Sequence, residues 1–170
     1  MGKNSVLGLT IFAMLLPISV FYVDFDGIDA TWVIGLFYAY FRVSAGFGPV
    51  TVSADEYGIL EYPDVGYTER SFFSVDAWEQ VWGTDDGQTM MIIWVATLAL
   101  VALGFLITLF DPKTGGIFLI LAAIAGFAFT LMGYTVLDDN LGGAATIYPI
   151  PIGALFLLIA GLIGLRTEEF

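Results

Sequence analysis

The chain has 170 residues, 58% of them hydrophobic, with a mean hydropathy of +0.87 and a formal net charge of −12. Such a composition belongs to membrane proteins, and the length suits a single domain over residues 1–170. It has neither cysteine nor histidine, which excludes disulfide frameworks, thiol and serine–histidine catalysis, iron–sulfur and histidine–haem ligation and the usual zinc sites, while the charge argues against a nucleic-acid partner.

Residues 5–23 are uncharged and contain Pro17. The segment is long enough to cross about 30 Å of hydrocarbon, and it lacks the small-residue cleavage site of a signal peptide. It therefore predicts a retained span. Immediately after it, "DFDGID" places Asp24, Asp26 and Asp29 close together.

"TWVIGLFYAYFRV", 31–43, carries one charge, Arg42. It is too short for a helical span and rich in the residue types that favour strands. Further short segments at 49–54, 57–62 and 65–73 are separated by Gly, Pro and Asp, which predicts four antiparallel strands. Alternation along a strand 31–43 puts Trp32 and Tyr40 on one face and Phe37 and Phe41 on the other. Both faces are apolar, so one is expected to rest on the helices and the other to meet a partner. Trp32, Phe37, Tyr40 and Phe41 are the candidate partner surface.

"SVDAWEQVWG", 74–83, reads as a short amphipathic helix with Ser74 as N-cap and Val75, Trp78, Val81 and Trp82 on one face. Tryptophans just before a span suggest an interfacial anchor. "TDDG", 84–87, reads as a turn. Three further uncharged segments, 89–110, 115–137 and 145–165, predict spans. The last has Pro149 and Pro151 near its outer end. Ala122 with Gly126, and Ala160 with Gly164, supply small residues at four-residue spacing for helix packing.

With four spans, Lys3, Lys113 and Arg166 fall at one side, and the short loop opposite has no basic residue. This asymmetry predicts a multi-pass cell-membrane protein with both termini cytoplasmic. Fourteen acidic and two basic residues then lie outside, against three of each inside. The expected fold is a membrane α+β arrangement, a four-helix bundle beneath an extracellular antiparallel sheet and short interfacial helix in segment 24–88.

None of the spans contains Asp, Glu, Lys or Arg, which weighs against ion-coupled transport. Asp24, Asp26, Asp29, Asp138 and Asp139 form an acidic rim whose oxygens suit weak Ca²⁺ binding or, more simply, a solvated surface. No other cofactor is indicated.

Gly35-Leu36-Phe37 is close to the Gly-Leu-Trp of the first external segment of claudins. With the four spans, a first external segment of strands, a short helix before the second span and a small second loop, the chain resembles the claudin-type tetraspan proteins. The family's two cysteines would fall at Tyr40 and near Gly48–Val50, where this chain has none. Aromatic packing would have to replace that staple. The expected function is non-enzymatic, a structural or accessory subunit contacting lipid and other membrane subunits or further copies of itself. A cation-selective barrier or pore element with an acidic external face is the alternative, and a non-catalytic subunit of a membrane enzyme a third reading.

Overall fold

Pro17 decides where the first helix ends. Proline disfavours helical backbone at the residue before it, and Leu16 is extended, with φ −80° and ψ 155°. The computed structural model describes residues 2–25, 28–45, 51–58 and 75–167. In it α1 covers only Lys3–Leu15, and the rest of the expected span 5–23 turns into β1, Ser19–Phe25. The same physics acts at the other end. Pro149 and Pro151 hold the chain extended, so the expected span 145–165 becomes β5, Thr146–Ile150, followed by α5, Ile152–Arg166. Two of the four expected spans are thus short apolar helices joined to strands.

The other two expected spans form continuous helices. Between β1 and β5 the chain forms β2 (Ile28–Ile34), β3 (Tyr38–Ala45), β4 (Thr51–Gly58), α2 (Val75–Trp82), α3 (Thr84–Thr108) and α4 (Pro112–Leu141). Helices α3 and α4, of 25 and 30 residues, are long and apolar enough to cross a membrane. At 1.5 Å per residue they measure about 38 and 45 Å. Residues 84–87, expected as a turn, are the first turn of α3. Gly83 separates α2 from α3 with φ 93°, a backbone angle that glycine adopts without steric cost.

Helix α4 packs against α3 on one side and α5 on the other, and α1 closes the bundle mainly against α5. Helices α4 and α5 make contact through small residues. A Cβ on Gly126 would lie 2.9 Å from that of Ala154, and one on Gly116 would lie 2.7 Å from the Gly161 carbonyl oxygen. Ala122 and Ala160 are fully buried. The small-residue pairs read from the sequence are used in packing within this chain. Buried Thr10, Thr97, Thr108 and Thr130 each donate their hydroxyl to the carbonyl four residues earlier. These four helix hydroxyls are thereby satisfied locally, without a polar network, whereas the Ser19 hydroxyl of β1 is buried without a partner among the described residues.

Lys3 Nζ donates to the Leu109 carbonyl, and Gly164 lies against the Pro112 carbonyl. Lys3, Lys113 and Arg166 consequently lie at one end of the bundle. At that end Asp111 caps α4, accepting from the Lys113 and Thr114 amides at 2.9 and 3.2 Å. These bonds satisfy helix donors that would otherwise have no partner. The Thr114 hydroxyl first, then the two amides and the Lys113 charge, hold the Asp111 carboxyl below the usual aspartate range. Its stabilising effect is therefore complete above the ordinary value of about 3.9 and lost as pH falls through the depressed one. Asp111→Asn keeps an acceptor but does not titrate. The difference in melting temperature between wild type and Asp111→Asn is expected to be pH-independent from 7 to 5 and to collapse between 4 and 2. A constant difference down to pH 2 would remove the charge from the cap's role.

The sheet is five-stranded and antiparallel, in the order β4-β3-β2-β1-β5. Residues 31–43 are not one strand. Gly35, Leu36 and Phe37 interrupt them, and Ile34 pairs with Ala39 across the turn. The expected strand at 49–54 and the first residues of that at 57–62 merge into β4. The remainder, with the strand expected at 65–73 and the cap Ser74, falls outside the described residues. Among the described residues β1 and β5 pack on α4, whereas β3 and β4 make their extensive contacts with their sheet neighbours.

Candidate functional site

Register fixes the two faces of the sheet. Directly opposed residues of antiparallel strands share a face, so Ser19, Phe21 and Val23 of β1 lie with Ile34, Trp32 and Ala30 of β2, and with Pro149 and Ile147 of β5. This is the inner face. Phe21 and Val23 are buried, as are Ala30 and Ile34. Phe21 projects so far into the bundle that a Cβ on Gly133 would come within 2.4 Å of its ring. Only glycine in α4 leaves that space.

Around Phe21 an aromatic layer joins sheet to bundle. Trp82 meets Phe21 edge-on at 5.8 Å and Phe129 at 6.5 Å; Trp78 meets Phe129 at 6.1 Å and Trp94 at 5.5 Å. The Trp78–Trp94 rings are tilted at 44°, and the three edge-to-face pairs add roughly 0.5–1.5 kcal/mol each beyond area burial. Trp78 and Trp82 are 4% and 2% exposed, which overturns their expected role as an interfacial anchor. They are core. Helix α2 folds back so tightly that a Cβ on Gly87 of α3 would lie 2.6 Å from the backbone of Glu79. The helical spacing of Val75, Trp78, Val81 and Trp82 is legible in the sequence, but what the tryptophans meet is not, and Val75 is exposed.

The β2–β3 turn docks on the same layer. Trp94 donates its indole N–H to the Gly35 carbonyl at 3.1 Å, and Leu36 is 1% exposed. Phe37 is half-buried and packs against the core. Gly35-Leu36-Phe37 is therefore an anchoring turn rather than part of an open strand face.

The candidate partner residues separate accordingly. Trp32 is half-buried on the inner face, and Phe41 is its register partner on β3. Tyr40 is register-paired with Val33, on the opposite face. Trp32 and Tyr40 thus do not share a face as a single strand would require, because the turn changes the parity of the alternation. The outer face carries Val20, Tyr22 and Asp24 of β1, Asp29, Thr31 and Val33 of β2, and Tyr148 and Ile150 of β5.

Asp24 and Asp29 are register partners, both exposed, and the Tyr22 hydroxyl donates to Asp29 Oδ1 at 2.8 Å. Asp138 and Asp139 end α4, where Gly142 adopts the left-handed cap at φ 61°. Asp26 lies outside the described residues. Among the described residues no three carboxylates converge as a metal-ligand group. Asp24, Asp29 and Asp139 are exposed and Asp138 is half-buried.

The arrangement defines a class in coarse terms, apolar helices long enough for a membrane carrying an antiparallel sheet at one end. No protein-family model matches the chain, and no curated protein matches it in sequence.

Proposed function

We propose that the chain is a four-span integral membrane protein of claudin-like architecture, with both termini cytoplasmic and the sheet outside the cell. In this reading it is non-enzymatic, and its sheet contacts other membrane proteins, making it a structural or accessory subunit. One observation carries the reading. Strands β3 and β4 lie on the far side of the sheet from β1, which packs on α4 and α5, and among the described residues neither makes an extensive backbone approach to a helix. A sheet held rigidly at β1 by the aromatic layer presents those strands as a platform. The basic residues at the far end of the bundle support the orientation.

The test separates anchor from contact. Phe37 packs on the core, so Phe37→Ala is expected to lose roughly 1–2 kcal/mol, about half the cost for a fully buried ring. Tyr40→Ala, at a register position opposite Val33, is expected to release partners that co-purify in mild detergent with folding intact. Interface energy concentrates in such aromatics. Equal loss of stability in both variants, with partners retained at matched fold content, would reduce the sheet to a cap on the bundle.

A further inference from the structure

The two short helices, α1 and α5, span 13 and 15 residues, or about 20 and 22 Å. Neither alone crosses about 30 Å of hydrocarbon. Their strands continue them. β1 leaves α1 and β5 enters α5 side by side, stitched where the Gly153 amide donates to the Pro17 carbonyl at 2.8 Å. Phe21, paired with Pro149, reaches α4 at Gly133. That position is 21 residues from Pro112, about 32 Å along the helix. Along α5, Ile150 and Tyr148 add at most about 7 and 13 Å at 3.3 Å per residue, so the second route reaches a similar height. Both routes place the β1–β5 pair where the hydrocarbon ends.

Exposed apolar residues of the helices flank the pair along the chain. Leu15, at 68% exposed, and Leu155, at 46%, lead onto Ile150 and Tyr148, at 43% and 52%. Val20 is paired with Ile150 and Tyr22 with Tyr148, their two rings 6.0 Å apart. Apolar side chains below tyrosines, with exposed Asp24 and Asp29 above, follow the polarity gradient of a membrane boundary. Among the described residues β5 is an edge strand, and its free backbone groups need water, which keeps the strand beyond Ile150 in the hydrated interface rather than the hydrocarbon. Pro149 removes one donor from that strand.

We propose that the outer face of the β1–β5 pair, Val20, Tyr22, Tyr148 and Ile150, is a lipid-contacting surface seated in the interfacial layer of the outer leaflet. α1–β1 and β5–α5 are then composite helix–strand spans. The proposal rests on the membrane reading of the chain.

The cysteine-free chain permits single-site nitroxide labelling of the whole protein in phosphatidylcholine vesicles. Ile150→Cys tests the surface, Leu162→Cys on exposed α5 reports the span, and Asp24→Cys reports water. The expected ratio of oxygen to water-soluble nickel accessibility is highest at 162, several-fold above position 24 at 150, and lowest at 24. Tyr148→Cys should fall between 150 and 24, guarding against local distortion by one substitution. If 162 is in lipid while 148 and 150 match 24, the strand proposal fails and the membrane reading survives. If 162 is itself water-accessible, both fail. Protection of 150 from both reagents, with spin–spin broadening between labels, would mean that a second copy covers the face, and overturns the lipid assignment.

Discussion

Phe129→Ala is expected to destabilise the protein by about 3–5 kcal/mol, the range for removing a buried aromatic. Phe129 is fully buried and its ring meets both Trp78 and Trp82 edge-on. The loss combines the transfer energy of the ring, a cavity that rigid neighbours cannot collapse, and two aromatic contacts. Since whole domains are stable by only about 5–15 kcal/mol, the variant should melt at much lower temperature in detergent or lose cooperative unfolding. The effect should reach the sheet, because Trp82 also holds Phe21. Phe110, 89% exposed at the end of α3, is the control. Its replacement by Ala is expected to stay within about 0.5 kcal/mol. Similar melting temperatures for the two variants would refute the aromatic layer as the joint between sheet and helices.

Gly116→Leu should be comparably severe for the opposite reason. A Cβ there would meet the Gly161 carbonyl oxygen at 2.7 Å and the Leu165 amide nitrogen at 3.0 Å. These are backbone atoms, so no rotamer change relieves the clash and α4 and α5 must separate. Overpacking costs typically 1–3 kcal/mol and more when backbone must move. Ala at 116 should already show the lower part of that range. Gly8 on α1 has nothing within 4 Å of its Cβ position, so Gly8→Ala is expected to be neutral or to gain up to about 1 kcal/mol from helix propensity. Thermal unfolding of the three variants in one detergent checks the order. Equal behaviour of Gly8→Ala and Gly116→Ala would mean that the α4–α5 approach is looser than its geometry.

The long uncharged runs 89–110 and 115–137 are legible as helices because hydropathy and length act locally, and α3 and α4 account for nearly all of both. The runs 5–23 and 145–165 are also uncharged and apolar but have different backbones. Their prolines are visible in the sequence, yet a proline marks only a helix boundary and does not specify the conformation of the residues beyond it. β1 exists because it lies between β2 and β5, and β5 because it finds β1 more than a hundred residues away. Strand pairing of that range leaves no periodic trace in either segment.

The candidate site divides in the same way. That Trp32, Phe37, Tyr40 and Phe41 favour strands is a property of the residues, and three of the four lie within β2 or β3. Which face each belongs to depends on the turn at Gly35-Leu36-Phe37, and that turn forms where Trp94 of α3 offers its indole N–H to Gly35. A one-residue change of phase exchanges the faces.

By itself the sequence determined an apolar chain, two full-length helices, a strand-rich segment and the separation of basic from acidic ends, because composition, hydropathy and charge need no partner to be read. Only the tertiary structure decided that two expected spans become helix–strand composites and that Trp78 and Trp82 are buried. The same is true of the anchoring turn at Gly35-Leu36-Phe37. Each of these depends on which distant residue supplies a hydrogen bond, a ring edge or the space left by a missing Cβ, and chain order does not encode that proximity locally.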